Sequence, residues 1–263
     1  MTKRSFKTVT LTFIILASFI SAAVIAALVF LSIKGVKNDI FGHRKQSMSD
    51  ISPISPISQS ADRGEFYIRN TVFVGDSVIL GMKNAGVLPD GDKSNQIWCG
   101  EGGDLALDYN INSTAIIYPE SGMAISIPEA ASEKRPARMI ITIGIRNGVP
   151  YCTEESFKAY YKKLVKEIQA ESPDTVIILQ SVFPTSKKYQ KSNSAISTEK
   201  IDIANRWISE VAKECRVGYL DTCSILKDSD GYLRSEYDSG DGLHLSAEGY
   251  KAVLYYIRTH GYK

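Results

Sequence analysis

Thr71-Val72-Phe73-Val74-Gly75-Asp76-Ser77 is the stretch on which the fold turns. Its first four residues form an unbroken β-rich run, the pattern of a strand covered on both faces. Gly75 permits a tight turn, and Asp76 or Ser77 can cap the helix that residues 77–85 predict. A strand that feeds directly into a helix is the opening of a β-α-β unit.

Downstream the same alternation continues. Met139-Ile140-Ile141-Thr142-Ile143 and Thr175-Val176-Ile177-Ile178-Leu179 read as buried strands, and residues 217–220 as a further short one. Between the first two, Phe157, Tyr160, Tyr161, Leu164, Val165 and Ile168 fall on one helical stripe, and Ala204, Trp207, Ile208, Val211, Ala212 and Cys215 form a second. Ser246 can cap a last helix running to about Arg258. The expected class is α/β, with a parallel sheet between helices, over residues 65–263. About 200 residues suffice for one large core.

Upstream the sequence changes character. Residues 9–33 hold 20 apolar residues out of 25, and no charge falls between Lys7 and Lys34. A helix of that length crosses a ~30 Å hydrocarbon layer. The basic Lys3, Arg4 and Lys7 before it and Ser21-Ala22-Ala23 within it also suit a cleaved signal peptide, but the apolar run is long for one. The expected organisation is a basic tail over 1–8, a transmembrane anchor over 9–33 and a Ser/Pro-containing stalk over 34–64. Lys/Arg flank both ends of the run, so the short N-terminal tail, not the charge bias, points to an extracellular C-terminal domain. Pro53 and Pro56 weigh against reading the stalk as an edge strand.

The formal net charge is +2 over 263 residues. Eight Lys/Arg against three Asp give residues 1–64 a charge of +5, which leaves −3 for the rest. The mild basicity therefore belongs to the segment that flanks the apolar run, where anionic lipid would meet it. No concentrated basic face argues for nucleic acid. Cys99, Cys152, Cys215 and Cys223 show no Cys-x-x-Cys and no metal-ligand spacing, and buried free thiols are the default reading. Asp228-Ser229-Asp230-Gly231 begins like a calcium loop, but the bidentate Glu is missing and a polar turn is expected.

Only three histidines are present, and His244 alone has a suggestive setting, Asp241-Gly242-Leu243-His244. An aspartate three residues earlier can accept the imidazole N–H and leave the other nitrogen as a general base. Ser77, at the carboxyl end of a strand, is the matching nucleophile, since open α/β sheets place their working residues there. Gly-x-Ser-x-Gly is absent, because Ile79 stands at the second glycine, so the chain is not a standard α/β-hydrolase.

These blocks, taken together and in order, resemble the SGNH (GDSL-type) hydrolases. Val74-Gly75-Asp76-Ser77 is similar to the block that supplies the nucleophile, and Asp241-Gly242-Leu243-His244 to the one that supplies the Asp and His of the triad. Gly102-Gly103-Asp104 is similar to the block whose glycine N–H serves the oxyanion hole, with Gly103 as the assignment and Gly100 as the alternative. The block Gly-x-Asn-Asp is altered to Gly144-Ile145-Arg146-Asn147-Gly148. Strict alignment puts Arg146 in the asparagine's place; one extra loop residue restores Asn147, which is favoured.

The resemblance implies a three-layer α/β/α fold with a flavodoxin-like sheet, and a triad of Ser77, His244 and Asp241. It implies an oxyanion hole made by Ser77, Gly103 and Asn147, with no cofactor and no metal. Residues 226–250 further resemble membrane-anchored members from Gram-positive bacteria. The implied activity is hydrolysis of carboxylic esters, foremost O-acetyl or other O-acyl groups on cell-wall or surface glycans. A lipase, lysophospholipase or thioesterase on the same site is the alternative within the class. A non-catalytic glycan-binding domain is the alternative outside it. The partners expected are an ester substrate and, through the N-terminal helix, the membrane.

Overall fold

The structure, a computed structural model, describes residues 54–262. The tail, the anchor and the stalk as far as residue 53 lie outside the described residues. Among the described residues no helix is long and apolar enough to cross a membrane.

Five parallel strands make the central sheet: β1 Thr71–Gly75, β2 Ile97–Trp98, β5 Arg138–Thr142, β6 Val176–Gln180 and β7 Gly218–Leu220. Their spatial order is β2-β1-β5-β6-β7, so the second strand of the sheet precedes the first and the remaining three follow in turn. That is the flavodoxin-like order, and it places a topological switch point between β1 and β5. Gly75 pairs with Thr142 there. A Cβ on Gly75 would lie 2.6 Å from the Thr142 carbonyl oxygen and 2.3 Å from Ile79 Cγ1, so the close approach requires glycine. Separately, β3 Ala115–Ile117 and β4 Ala124–Ser126 form a two-stranded antiparallel hairpin.

Helices flank the sheet. Short α1 Gly64–Arg69 precedes β1, and α2 Ser77–Asn84 follows it. Then come α3 Ile127–Lys134, the single turn α4 Gly148–Tyr151, α5 Glu154–Glu171, α6 Lys187–Ser192, α7 Thr198–Cys215, the single turn α8 Cys223–Leu226 and α9 Ala247–Thr259. Helices α3, α5 and α7 pack side by side, and both sequence stripes supply their buried faces: Phe157, Tyr161, Leu164, Val165 and Ile168 on α5, with Ala204, Ile208 and Val211 on α7. Helix α9 packs on α1, and its Tyr250 reaches α2, where the hydroxyl donates to the Val78 carbonyl at 2.6 Å. All four cysteines are free thiols; Cys99, Cys215 and Cys223 are buried.

Residues 54–63, expected within the stalk, instead belong to the domain. Ile54 and Ile57 pack against the core, and the Ile57 N–H donates to the Tyr219 carbonyl of β7 at 2.9 Å. Ser60 and Arg63 then donate backbone N–H groups to Thr259 and Arg258 at 2.6 and 3.1 Å, and the Arg258 guanidinium grips Asp62. Ile54, between the two prolines, and Ile57, just after the second, supply the apolar anchors. A proline-containing segment suits an edge position, because it needs to donate few ladder bonds while it covers the edge of β7.

Candidate active site

The site is built at the switch point. Asp76 caps α2 in extended conformation: its Oδ1 accepts the Val78 N–H at 3.1 Å, and its carbonyl accepts the Ile79 and Leu80 N–H groups at 2.9 and 3.0 Å. Ser77 is the first helical residue, so its own N–H has no partner within the helix. Its Oγ lies 3.1 Å from His244 Nε2, a contact that joins positions 167 residues apart in the chain. His244 Nδ1 lies 2.6 Å from Asp241 Oδ2. Asp241 Oδ1 meanwhile accepts the N–H groups of Leu243 and His244, both at 2.9 Å. The structure thus brings Ser77, His244 and Asp241 into one hydrogen-bonded chain.

Electrostatics fix the direction of that chain. Burial alone would raise the Asp241 carboxyl, but the His244 ring and two backbone N–H groups outweigh it and hold it at about 2. An ionised Asp241 accepts the Nδ1 proton, which leaves the Nε2 lone pair to accept from the Ser77 hydroxyl. Asp76 behaves in the opposite way. Almost fully buried, its carboxyl is pushed up to about 6 by desolvation, against the lowering influence of the Val78 N–H, Arg146 and His244.

The expected donors on the facing loops are placed less simply. Gly103 ends the turn Glu101–Gly103 at φ +84°, and a Cβ on it would lie 2.7 Å from Ser77 Cα. Its N–H, however, donates to the Gly100 carbonyl at 3.0 Å, so the turn consumes the donor assigned to the oxyanion. What Gly103 contributes here is its missing side chain. Asn147 lies on the loop after β5, exposed, and its amide makes no hydrogen bond among the described residues. That loop is closed by the Val149 N–H donating to the carbonyl of Gly144, which sits at φ +126°. Arg146 reaches toward the Gly103 turn, with Nη1 3.7 Å from Asp104 Oδ1. Among the described residues no hydrogen bond or ion pair joins either loop residue to the triad.

A small cleft of about 10 Å³ lies at the carboxyl ends of β1, β5 and β6, lined by Asp76, Val78, Ile143, Gly144, Phe183 and Leu243 among others, so the two chain neighbours of Ser77 form part of its wall. Its walls are mostly apolar, with room for about one methyl-sized group.

Two contributors escaped the sequence reading. Tyr161, read only as part of a core stripe, accepts the Ile143 N–H at 3.0 Å and donates to the Ile143 carbonyl at 2.6 Å, which pins the end of β5 just before the loop. A hydroxyl in an otherwise apolar stripe was the available signal, since a buried tyrosine usually finds a partner for its OH. Ser186, ahead of α6, donates its N–H to the Gly242 carbonyl at 2.8 Å and so docks a neighbouring loop on the histidine's. Nothing local in the sequence announces that pairing.

No curated protein matches the chain. Among solved structures, one from Streptococcus pneumonia is similar at 18% identity over 87% of this chain and 97% of that one, with a TM-score of 0.50; the likeness is one of fold. A GDSL-like lipase from Bacteroides thetaiotaomicron shares 17% identity over 75% of this chain and 89% of its own, at 0.46. The lipase/acylhydrolase from Enterococcus faecalis shares 14% over 72% and 93%, at 0.45. The model of the GDSL-like Lipase/Acylhydrolase family matches residues 73–252, from within β1 to within α9. With most of its length and all three residues of the hydrogen-bonded chain inside that match, the chain belongs to the GDSL-like lipase/acylhydrolase family of ester hydrolases.

Proposed function

We propose that the protein is a surface-tethered serine esterase that removes short O-acyl groups, foremost O-acetyl, from cell-wall or surface glycans. The contact that carries the reading is Ser77 Oγ to His244 Nε2 at 3.1 Å, with Nδ1 held by Asp241 at 2.6 Å. Ser77 Oγ attacks the ester carbonyl while Nε2 takes its proton. Asp241 stabilises the imidazolium, which then protonates the departing alkoxide. Water repeats the sequence on the acyl-enzyme and releases the acid. The tetrahedral oxyanion is received by the Ser77 N–H and by the free amide of Asn147.

The methyl-sized cleft supports a short acyl group. Residues 9–33, apolar and uncharged, support a membrane anchor that keeps the domain beside the envelope. A fluorophosphonate probe tests the chemistry: the wild type is labelled at Ser77 and the Ser77→Ala variant is not. Unlabelled wild type would mark an inert, non-catalytic domain. A nitrophenyl ester series from acetate to longer chains tests the acyl group. Turnover that rises with chain length would sink the acetyl reading in favour of a lipase.

A further inference from the structure

We infer that Arg146 selects esters carrying a negative charge, a carboxylate or a phosphate, on the part of the substrate that remains after deacylation. The inference rests on Ser77 being the nucleophile.

Arg146 stands at the apex of the loop after β5, whose base is pinned by Tyr161 and whose turn is closed between Gly144 and Val149. Its guanidinium faces the Gly103–Asp104 turn, and Gly103 is pressed against the Ser77 backbone. Across the opening its charge also acts on the Tyr189 hydroxyl of α6. Tyr189 in turn lies under Gly242, two residues before His244, where an added Cβ would come 2.9 Å from Tyr189 Cβ. The cation therefore stands beside the turn that is pressed against the nucleophile.

Its one charged partner among the described residues is loose. The 3.7 Å separation from Asp104 is too long for a hydrogen bond, and the two side chains are 55% and 78% exposed. The two carboxylates of the site itself are already engaged: Asp241 by His244 and two N–H groups, Asp76 by burial and its cap. Arg146 thus keeps its planar fork of donors open at the mouth of the site, the arrangement that recognises carboxylate or phosphate in a bidentate manner.

The test compares kcat/KM for three acetyl esters: a neutral nitrophenyl acetate, O-acetylated glucuronic acid and acetylated glycerol phosphate. The charged-to-neutral ratio falls roughly tenfold in Arg146→Gln, through KM, and Arg146→Lys restores part of it. Asp104→Asn raises the ratio by removing the competing carboxylate. The two charged esters show whether carboxylate or phosphate is the preferred group. A ratio unchanged in Arg146→Gln, whatever the absolute rates, overturns the inference. Binding of glucuronate and glycerol phosphate to Ser77→Ala protein, with and without Arg146→Gln, gives a readout that needs no turnover. Binding there that is indifferent to Arg146 also overturns it, whereas failure of the fluorophosphonate to label Ser77 would count against the nucleophile reading instead.

Discussion

Residues 238–245 and the two loops that face them across Ser77, 100–104 and 144–148, do opposite halves of one task. In the first, almost every polar group is tied. Asp238 Oδ1 accepts the N–H groups of Gly240 and Gly242 at 2.7 and 2.8 Å, Ser239 donates to the His244 carbonyl at 3.0 Å, and Asp241 takes both Leu243 and His244. In the facing loops, one candidate donor is spent on Gly100, one amide has no partner, and the Arg146–Asp104 pair is stretched. The difference follows from the chemistry each half serves. A general base has to hold its tautomer and its distance before substrate arrives. Oxyanion donors meet their charge only in the transition state, and alignment on that side can tighten upon binding.

The sharpest way to break the comparison is Asp241→Asn. Its Oδ1 position is claimed by two backbone N–H groups, so the new amide nitrogen would face His244 Nδ1. Nδ1 then becomes the acceptor, the proton moves to Nε2, and Nε2 can no longer take the proton of Ser77. We expect kcat to fall roughly 10³–10⁴-fold with little change in KM or in folding. A loss of less than tenfold would show that the tied loop does not set the tautomer. In the wild type this carboxylate, held at about 2, stays ionised at any working pH. Its contribution to stability is present above about pH 4 and fades only as pH falls from there through 2.

Asn147→Ala probes the loose half. An amide that meets the oxyanion contributes in the transition state alone, so kcat drops roughly 10²-fold while KM for a nitrophenyl acetate holds. A KM effect without a kcat effect would make Asn147 a substrate-binding residue and leave the Ser77 N–H as the donor in place.

The tied half was legible in the sequence and the loose half was not, for a physical reason. Asp241 and His244 are three residues apart, and an aspartate that caps the turn under its own histidine is a local motif. Gly75-Asp76-Ser77 is likewise local: strand, close approach, cap. The direction of the Gly103 N–H depends on two consecutive positive-φ glycines, Gly102 and Gly103, which a string of letters leaves open. The same holds for β2, only two residues long, and for the β3–β4 hairpin, too short to show a period. Helix α3 did carry a signal, since Ser126 accepts the Glu129 N–H in a Ser-x-x-Glu capping arrangement. The strap over 54–63 was obscured because its prolines suit a stalk and an edge segment equally, and only β7 decides between them.

Asp76 lies beneath both regions, raised by burial to about 6 against the lowering influence of Arg146 on one side and His244 on the other. The sign of its effect on folding is opposite to that of Asp241. Between about pH 4 and 6 the unfolded chain has released this proton while the folded chain still holds it, so stability falls as pH rises through that window and levels off above it. Asp76→Asn keeps an oxygen to accept the Val78 N–H, since asparagine caps helices as well as aspartate does, but it has no charge to bury. The variant should therefore gain on the order of 1–3 kcal/mol relative to wild type between pH 4 and pH 7, read from urea midpoints at the two values. Asp241 contributes equally to both proteins and cancels. If the difference between variant and wild type is the same at both pH values, Asp76 is not a carboxyl kept protonated by its surroundings. The two halves of the site would then already neutralise it with the charges they bring.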